Sequence, residues 1–196
     1  MVYWIAYFLM WTIDRIYFRV ELIHDENIPR KGACIFATNH ISNLDPFILG
    51  ISLKQKVNFF AKESLFDTPL KNLIFRGMKA FPVKRDEVDV WALKEAVKRL
   101  KKGEPLIVFP EGTRGVSSRE KKVQPGIGFI AVKSGVPIVP AYLEGTDKAL
   151  PNGAKWFKRH PVKLYIGKPV EFNKTKDYQD IAQKAVDAIY ALKPAV

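Results

Sequence analysis

A histidine and an aspartate lie five residues apart in the run NHISNLDP, as His40 and Asp45. Histidine is the side chain whose ordinary pKa lies near neutral pH, so it can accept a proton as a base and release it as an acid. A carboxylate on the far ring nitrogen fixes the tautomer of such a histidine and stabilises the imidazolium that forms. The pair therefore predicts a general base oriented by a carboxylate, with a surface histidine and a simple helix cap as the alternative.

A second run, FPEGTR, occupies residues 109–114 and follows an apolar stretch that is typical of a buried strand. Ligands of open α/β sheets bind beyond the carboxyl ends of strands, which is where this run falls. Arg114 can present a planar pair of donors to a phosphate, and Gly112 lets the backbone approach closely. The alternative is a solvated turn in which Glu111 pairs with Arg114. Together the two runs indicate a site that removes a proton from a hydroxyl held next to a phosphate.

Two further runs accompany them. FPVKR places the cations Lys84 and Arg85 after another strand-like stretch, and VPIVPAY, over residues 136–142, is a turn followed by an apolar strand. The second of these is more typical of core than of a site.

Apolar runs alternate along the chain with stretches of helical periodicity. The predicted strands cover residues 19–23, 33–38, 57–61, 80–83, 106–109, 138–143 and 162–166. The predicted helices cover residues 2–13, 46–53, 69–76, 87–102, 126–134 and 178–192. This alternation predicts an α/β domain with a largely parallel central sheet and helices on both faces. His40 would follow a strand, and Asp45 would be the N-cap of a helix that begins with Pro46.

These four runs resemble, in the same order, the four motifs of the glycerolipid acyltransferases, and most closely those of the 1-acylglycerol-3-phosphate acyltransferase group. NHISNLD resembles the H-x4-D first motif, FPVKR the second, FPEGTR the third and VPIVPAY the fourth. The first and third motifs together are highly specific, whereas the second and fourth are weak alone. One departure is Lys84, which stands where many family members carry an acidic residue.

The resemblance implies transfer of an acyl chain from a thioester to the free sn-2 hydroxyl of 1-acylglycerol 3-phosphate, which gives phosphatidic acid. His40 would take the hydroxyl proton, Asp45 would orient His40, and no acyl-enzyme would form. The residues implied to hold or shape the glycerol phosphate site are Lys84, Arg85, Glu111, Gly112, Thr113 and Arg114. The donor would be an acyl-carrier-protein or coenzyme A thioester, without metal or bound cofactor. Another acceptor, such as glycerol 3-phosphate or a different lysolipid, and a catalytically silent lipid-binding module stay open as alternatives.

The N-terminal residues 2–13 form an uninterrupted apolar run that is rich in tyrosine, tryptophan and phenylalanine. The run is shorter than the roughly twenty residues that a spanning helix needs, and aromatic residues at this density favour the membrane interface. We expect residues 1–18 to form a membrane-association helix and residues 19–196 to form the acyltransferase domain. A buried core helix is the alternative. The expected location is the cytoplasmic face of the inner (plasma) membrane.

The chain is basic, with a formal net charge of +12. This charge indicates an anionic partner, namely acidic lipid, an acidic carrier protein or nucleic acid. The sequence carries no nucleic-acid-binding fingerprint, so we expect lipid rather than nucleic acid. The three histidines lack metal-ligand spacing, and no G-x-S-x-G run marks a serine hydrolase.

Overall fold

Seven strands form one sheet in the computed structural model, which describes residues 2–84, 88–112, 123–172 and 177–194. The strands are β1 (Glu21–Ile23), β2 (Ile35–Thr38), β3 (Asn58–Lys62), β4 (Ala80–Val83), β5 (Leu106–Val108), β6 (Ile138–Glu144) and β7 (Lys163–Ile166). Their order across the sheet is β1-β7-β6-β2-β5-β3-β4. Every predicted strand is present, with bounds within two residues of those predicted.

Five neighbouring strands, β6, β2, β5, β3 and β4, run parallel. Strand β7 pairs antiparallel with β6, and β1 runs parallel to β7, so these two strands point the other way. The predicted largely parallel sheet is therefore confirmed. The five parallel strands end at one edge of the sheet, which we call the carboxyl edge.

The helices are α1 (Val2–Ile13), α2 (Asp45–Ser52), α3 (Pro69–Gly77), α4 (Val90–Lys101), α5 (Gly126–Ser134), α6 (Thr146–Ala149) and α7 (Tyr178–Ala191). A π-helical turn, Asp14–Phe18, follows α1, and 3₁₀ turns occupy Asp25–Asn27 and Glu63–Phe66. Helix α4 begins later than predicted because the side chain of Asp89 caps it by accepting a hydrogen bond from the N–H of Ala92. Residue 87, the predicted start, lies outside the described residues.

Successive side chains of β2 alternate between two cores, as the twofold repeat of a strand requires. Phe36 packs in a cluster with residues of α1, α2 and α3, whereas Ile35 and Ala37 pack with residues of α4, α5 and α7. The sheet is thus covered by helices on both faces, as predicted, and both faces of its central strand are buried.

Helix α1 lies on the outside of the first of these two layers. Tyr7 and Met10 pack against the core, and the Tyr3 and Tyr7 hydroxyls donate to the carbonyls of Gln55 and Ile51. No residue of α1 is buried, and four large apolar side chains on its outer side are more than half exposed: Trp4, Ile5, Phe8 and Leu9. The helix is therefore not a buried core helix.

Within the described ranges, no helix is both long enough and apolar enough to cross a membrane.

Candidate active site

The site is built where β6, β2 and β5 end side by side at the carboxyl edge. The turn after β2 carries His40 and Asp45, the turn after β5 carries Phe109 and Glu111, and the turn after β6 carries Thr146. Because β2 lies between β5 and β6, its turn meets both of the others.

His40 and Asp45 form the predicted pair. The His40 Nδ1 lies 2.7 Å from Asp45 Oδ2, and the same oxygen accepts the N–H groups of Ile41 and Ser42, each at 2.8 Å. A carboxylate oxygen that already accepts two backbone donors orients Nδ1 as a third donor, which leaves Nε2 with its lone pair. In the part of the chain that the structure describes, Nε2 has no hydrogen-bond partner. His40 therefore presents a free basic nitrogen.

The expectation that Asp45 caps α2 is wrong. Helix α2 begins at Asp45 itself, Leu44 occupies the N-cap position, and no side chain caps the helix there. The Asp45 carboxylate turns back onto the preceding turn instead and is completely buried. Pro46 still lies in the first turn of the helix, as predicted. The carboxylate is thus used to organise the site rather than to stabilise the helix end.

Phe109 brings the first and third runs into direct contact. Its ring stacks on the His40 imidazole with the centroids 4.0 Å apart and the planes inclined by 22°. One face of the imidazole is therefore covered by an apolar ring, and the side chain of His40 is 10% exposed. The Asp45 contact holds Nδ1, and the stacked Phe109 ring restricts tilting of the imidazole plane.

Two polar residues that were not among the predicted site residues, Asn39 and Thr146, join the His40 turn to β6 and to the turn that follows it. The Asn39 side chain accepts from the N–H of Leu143 at 2.7 Å and donates to its carbonyl at 2.8 Å. Thr146 donates its hydroxyl to Asp45 Oδ1 at 2.6 Å. The sequence could have indicated Thr146 by its position: it follows the predicted strand 138–143, and the carboxyl ends of neighbouring parallel strands lie together.

Glu111 is buried rather than solvated, and it contacts the last helix. Its Oε1 accepts the hydroxyl of Tyr190, on α7, at 2.8 Å. Burial is the main cause that raises the pKa of Tyr142, and the neighbouring Tyr190 and carboxylates that include Glu111 raise it further. Gly112 has a φ of 68°, the left-handed region that suits glycine, and it closes the turn by donating to the Phe109 carbonyl.

The predicted phosphate ligands are placed only in part. Lys84 is exposed and follows β4 at the carboxyl edge, with its backbone N–H donating to Asp89. Strand β4 is three positions from β2, about 14 Å at the usual spacing between strands, so Lys84 does not adjoin His40. Arg85, Thr113 and Arg114 lie outside the described residues.

Two side chains of nucleophilic type, Ser42 and Cys34, are not directed at His40. The Ser42 hydroxyl donates to the Leu150 carbonyl at 3.1 Å. Cys34 precedes β2 at the end opposite to His40, and burial raises the pKa of its thiol to about 12. Among the residues described, no cluster of three or more histidine, cysteine, aspartate or glutamate side chains could hold a metal ion.

The sequence profile of the Acyltransferase family matches residues 19–144, which is more than half of the chain. The chain belongs to this family. The chloroplastic 1-acyl-sn-glycerol-3-phosphate acyltransferase BAT2 of Brassica napus is 33% identical over 185 residues, covering 90% of this chain and 53% of that protein. The 1-acyl-sn-glycerol-3-phosphate acyltransferase of Bacillus subtilis is 31% identical over 152 residues, covering 77% and 73% respectively.

The fold agrees with a solved relative. The crystal structure of the 1-acyl-sn-glycerophosphate (LPA) acyltransferase PlsC from Thermotoga maritima superposes with a TM-score of 0.68 at 30% identity, covering 92% of this chain and 75% of that one. The chain spans about half the length of the plant relatives that it matches.

Proposed function

We propose that the chain transfers an acyl group from a thioester to the sn-2 hydroxyl of 1-acylglycerol 3-phosphate and so makes phosphatidic acid. The observation that carries the proposal is the buried Asp45 carboxylate on His40 Nδ1, which leaves Nε2 open as a base. The relatives named above carry this activity in their names.

The proposed reaction needs one proton shuttle. His40 Nε2 takes the proton of the acceptor hydroxyl while the oxygen of that hydroxyl attacks the thioester carbonyl. Asp45 stabilises the imidazolium while the tetrahedral intermediate exists. When the intermediate collapses, the carbon–sulfur bond breaks, and Nε2 donates the proton to the leaving thiolate. The ester and a free thiol result, and His40 returns to its starting form.

Direct transfer is favoured over an acyl-enzyme. A nucleophilic serine or cysteine must be within hydrogen-bond reach of its base. In the described part of the chain, the two such residues nearest to His40 in sequence do not meet this condition: Ser42 donates to a backbone carbonyl, and Cys34 lies at the other end of β2. Attack by the acceptor hydroxyl itself therefore accounts best for the free Nε2.

We propose that acyl carrier protein or coenzyme A supplies the thioester, since both are acidic and the chain carries a net charge of +12. The phosphate of the acceptor would be held by Arg85 and Arg114, helped by Lys84, as the resemblance of the motifs implies. Exposed apolar side chains on α1 support a membrane-bound acceptor, and the cytoplasmic face of the inner membrane, where both donors occur, remains our proposed location.

A catalytically silent lipid-binding module is the rival interpretation. Binding alone would not require a fully buried aspartate that accepts four hydrogen bonds beneath a histidine. Burying a charged carboxylate is costly unless such donors surround it. A base needs a carboxylate that is held in this way, whereas a residue that only binds lipid does not.

The test is acyl transfer to 1-acylglycerol 3-phosphate in detergent and in vesicles, with each thioester donor in turn. We compare the natural protein with His40→Ala and with His24→Ala, whose imidazole is exposed and hydrogen-bonds to the exposed Glu26. We expect His40→Ala to lose at least about 10³-fold in kcat and His24→Ala to keep the natural rate. Glycerol 3-phosphate and other lysolipids are offered in parallel.

Transfer that depends on His40 establishes the reaction and the base together. Transfer to a different acceptor would replace the substrate but keep the chemistry. If folded protein bound vesicles and transferred to no acceptor with either donor, the silent-module interpretation would be correct.

A further inference from the structure

Thr146 lies beneath the catalytic pair and is completely buried. Its hydroxyl donates to Asp45 Oδ1 at 2.6 Å, across 101 residues of sequence. The family profile ends at residue 144, so Thr146 lies outside the matched segment, whereas Asp45 lies within it.

The local backbone holds Thr146 in place. Gly145 precedes it with a φ of 89°, and a Cβ on that residue would lie 2.5 Å from the Pro161 carbonyl oxygen, so only glycine fits. Thr146 then begins α6, a single turn in which the N–H of Ala149 donates to the Gly145 carbonyl. The turn is attached a second time to the His40 segment, through Ser42 Oγ and the Leu150 carbonyl. Thr146 is therefore positioned by rigid contacts on both sides.

The hydrogen bonds of Asp45 are divided unequally between its two oxygens. Oδ2 accepts from His40 Nδ1 and from the N–H groups of Ile41 and Ser42. In the described part of the chain, Thr146 is the one donor to Oδ1. Each carboxylate oxygen has about two favourable acceptor positions, so Oδ2 is fully used, whereas Oδ1 depends on the Thr146 hydroxyl. Without Thr146, Oδ1 would be buried and unpaired, which favours rotation of the carboxylate until the remaining donors are shared between both oxygens.

We propose that Thr146 is a positioning residue for the acyl transfer, the third member of a chain that runs from Thr146 through Asp45 to His40. This inference rests on the proposed function. The hydroxyl locks the carboxylate plane so that Oδ2 faces Nδ1, and it thereby aims Nε2 at the acceptor hydroxyl. Thr146 does not contact the substrate, so it affects the rate of the chemical step rather than binding.

The experiment replaces Thr146 with valine, which keeps the shape and removes the hydroxyl, and with serine, which keeps the hydroxyl and removes the methyl group. We expect Thr146→Val to lower kcat by about 10–100-fold with KM for both substrates changed by less than about twofold, because a small misalignment of a base is costly. We expect Thr146→Ser to retain kcat within about threefold.

Thr38→Val is the matched control. Thr38 is also completely buried and lies at the end of β2, but its hydroxyl contacts Asn39 and not the carboxylate. We expect this variant to lower the melting temperature as Thr146→Val does and to leave kcat within about threefold.

The outcomes separate the inference from the proposed function. If the natural protein transfers no acyl group to any acceptor, the proposed function fails. If it does transfer, the inference alone is overturned by a Thr146→Val protein with natural kcat, by a loss of rate that serine does not rescue, or by an equal loss of rate in Thr38→Val. A fall in kcat that serine rescues, with KM unchanged, supports it.

Discussion

At the scale of single residues, the site depends on the hydrogen bonds that surround the buried Asp45 carboxylate. The carboxylate has no exposed surface, and four donors from His40, Ile41, Ser42 and Thr146 replace the water that it loses. Three of these donors are fixed by the fold, so His40 Nδ1 meets an acceptor whose position does not depend on the substrate. Preorganised acceptors of this kind cost no rearrangement during the reaction.

Replacing Asp45 with asparagine tests this arrangement. An amide can present its oxygen to Nδ1 and its N–H₂ to Thr146, whose hydroxyl must then accept instead of donating. In the other orientation the N–H₂ faces Nδ1 and the backbone N–H donors. In neither case does it balance the imidazolium charge. We expect kcat to fall by about 10³–10⁴-fold, as when a catalytic histidine loses its carboxylate partner. Steady-state kinetics check this, with the exposed Asp147→Asn as control. Activity within tenfold of the natural protein would show that Asp45 is only structural.

The sequence predicted the contact between His40 and Asp45 because it is local, over five positions. The partners that hold them are distant along the chain: Leu143 lies 104 positions from Asn39, and Thr146 lies 101 positions from Asp45. Such pairs depend on strand order, which apolar patterning does not determine. The mistaken N-cap shows the same limit, since an aspartate before proline is equally compatible with a cap and with a carboxylate that turns backward.

At the scale of elements, the strands and long helices were predictable because one period dominates each of them. The antiparallel pairing of β7 with β6 was not, since a run such as KLYI carries no information on direction. The single-turn helix α6 and the 3₁₀ turns were also missed, because they are too short to show a periodic pattern.

Helix packing can be tested at two glycines in the interiors of helices. At Gly128, in α5, an added Cβ would lie 2.1 Å from the Tyr178 carbonyl oxygen at the start of α7, whereas at Gly50, in α2, nothing lies within 4 Å. We expect Gly128→Ala to lower the free energy of unfolding by about 1–3 kcal/mol through overpacking. Gly50→Ala should raise it by about 0.5–1 kcal/mol, because alanine loses less backbone entropy in a helix.

Urea unfolding of both variants measures these changes, and each serves as the control for the other. If Gly128→Ala raised the free energy of unfolding as Gly50→Ala does, α5 and α7 would not be in close contact at Gly128.

At the scale of the whole molecule, exposed apolar residues are concentrated on the layer that carries α1 and α3. Trp4, Ile5, Phe8 and Leu9 on α1 are exposed, as are Leu70 and Leu73 on α3. The two helices meet where the Val2 side chain packs on Gly77. These six exposed side chains thus lie on two adjacent helices, and Lys56 lies over the rings of Tyr3 and Trp4. A surface of this composition on a basic protein suits the interface of an anionic membrane.

Trp4 and Trp91 provide a matched test of this surface, because both are 56% exposed but lie on helices that cover opposite faces of the sheet. We expect Trp4→Ser to weaken partition into vesicles of mixed zwitterionic and anionic phospholipid by roughly tenfold, since an interfacial tryptophan contributes about 1–2 kcal/mol of apolar burial. Trp91→Ser should partition like the natural protein. Vesicle sedimentation measures both, and kcat on a detergent-dispersed acceptor checks that the site is intact. Equal loss in the two variants would place the membrane contact elsewhere, and no loss in either would remove α1 from the membrane contact.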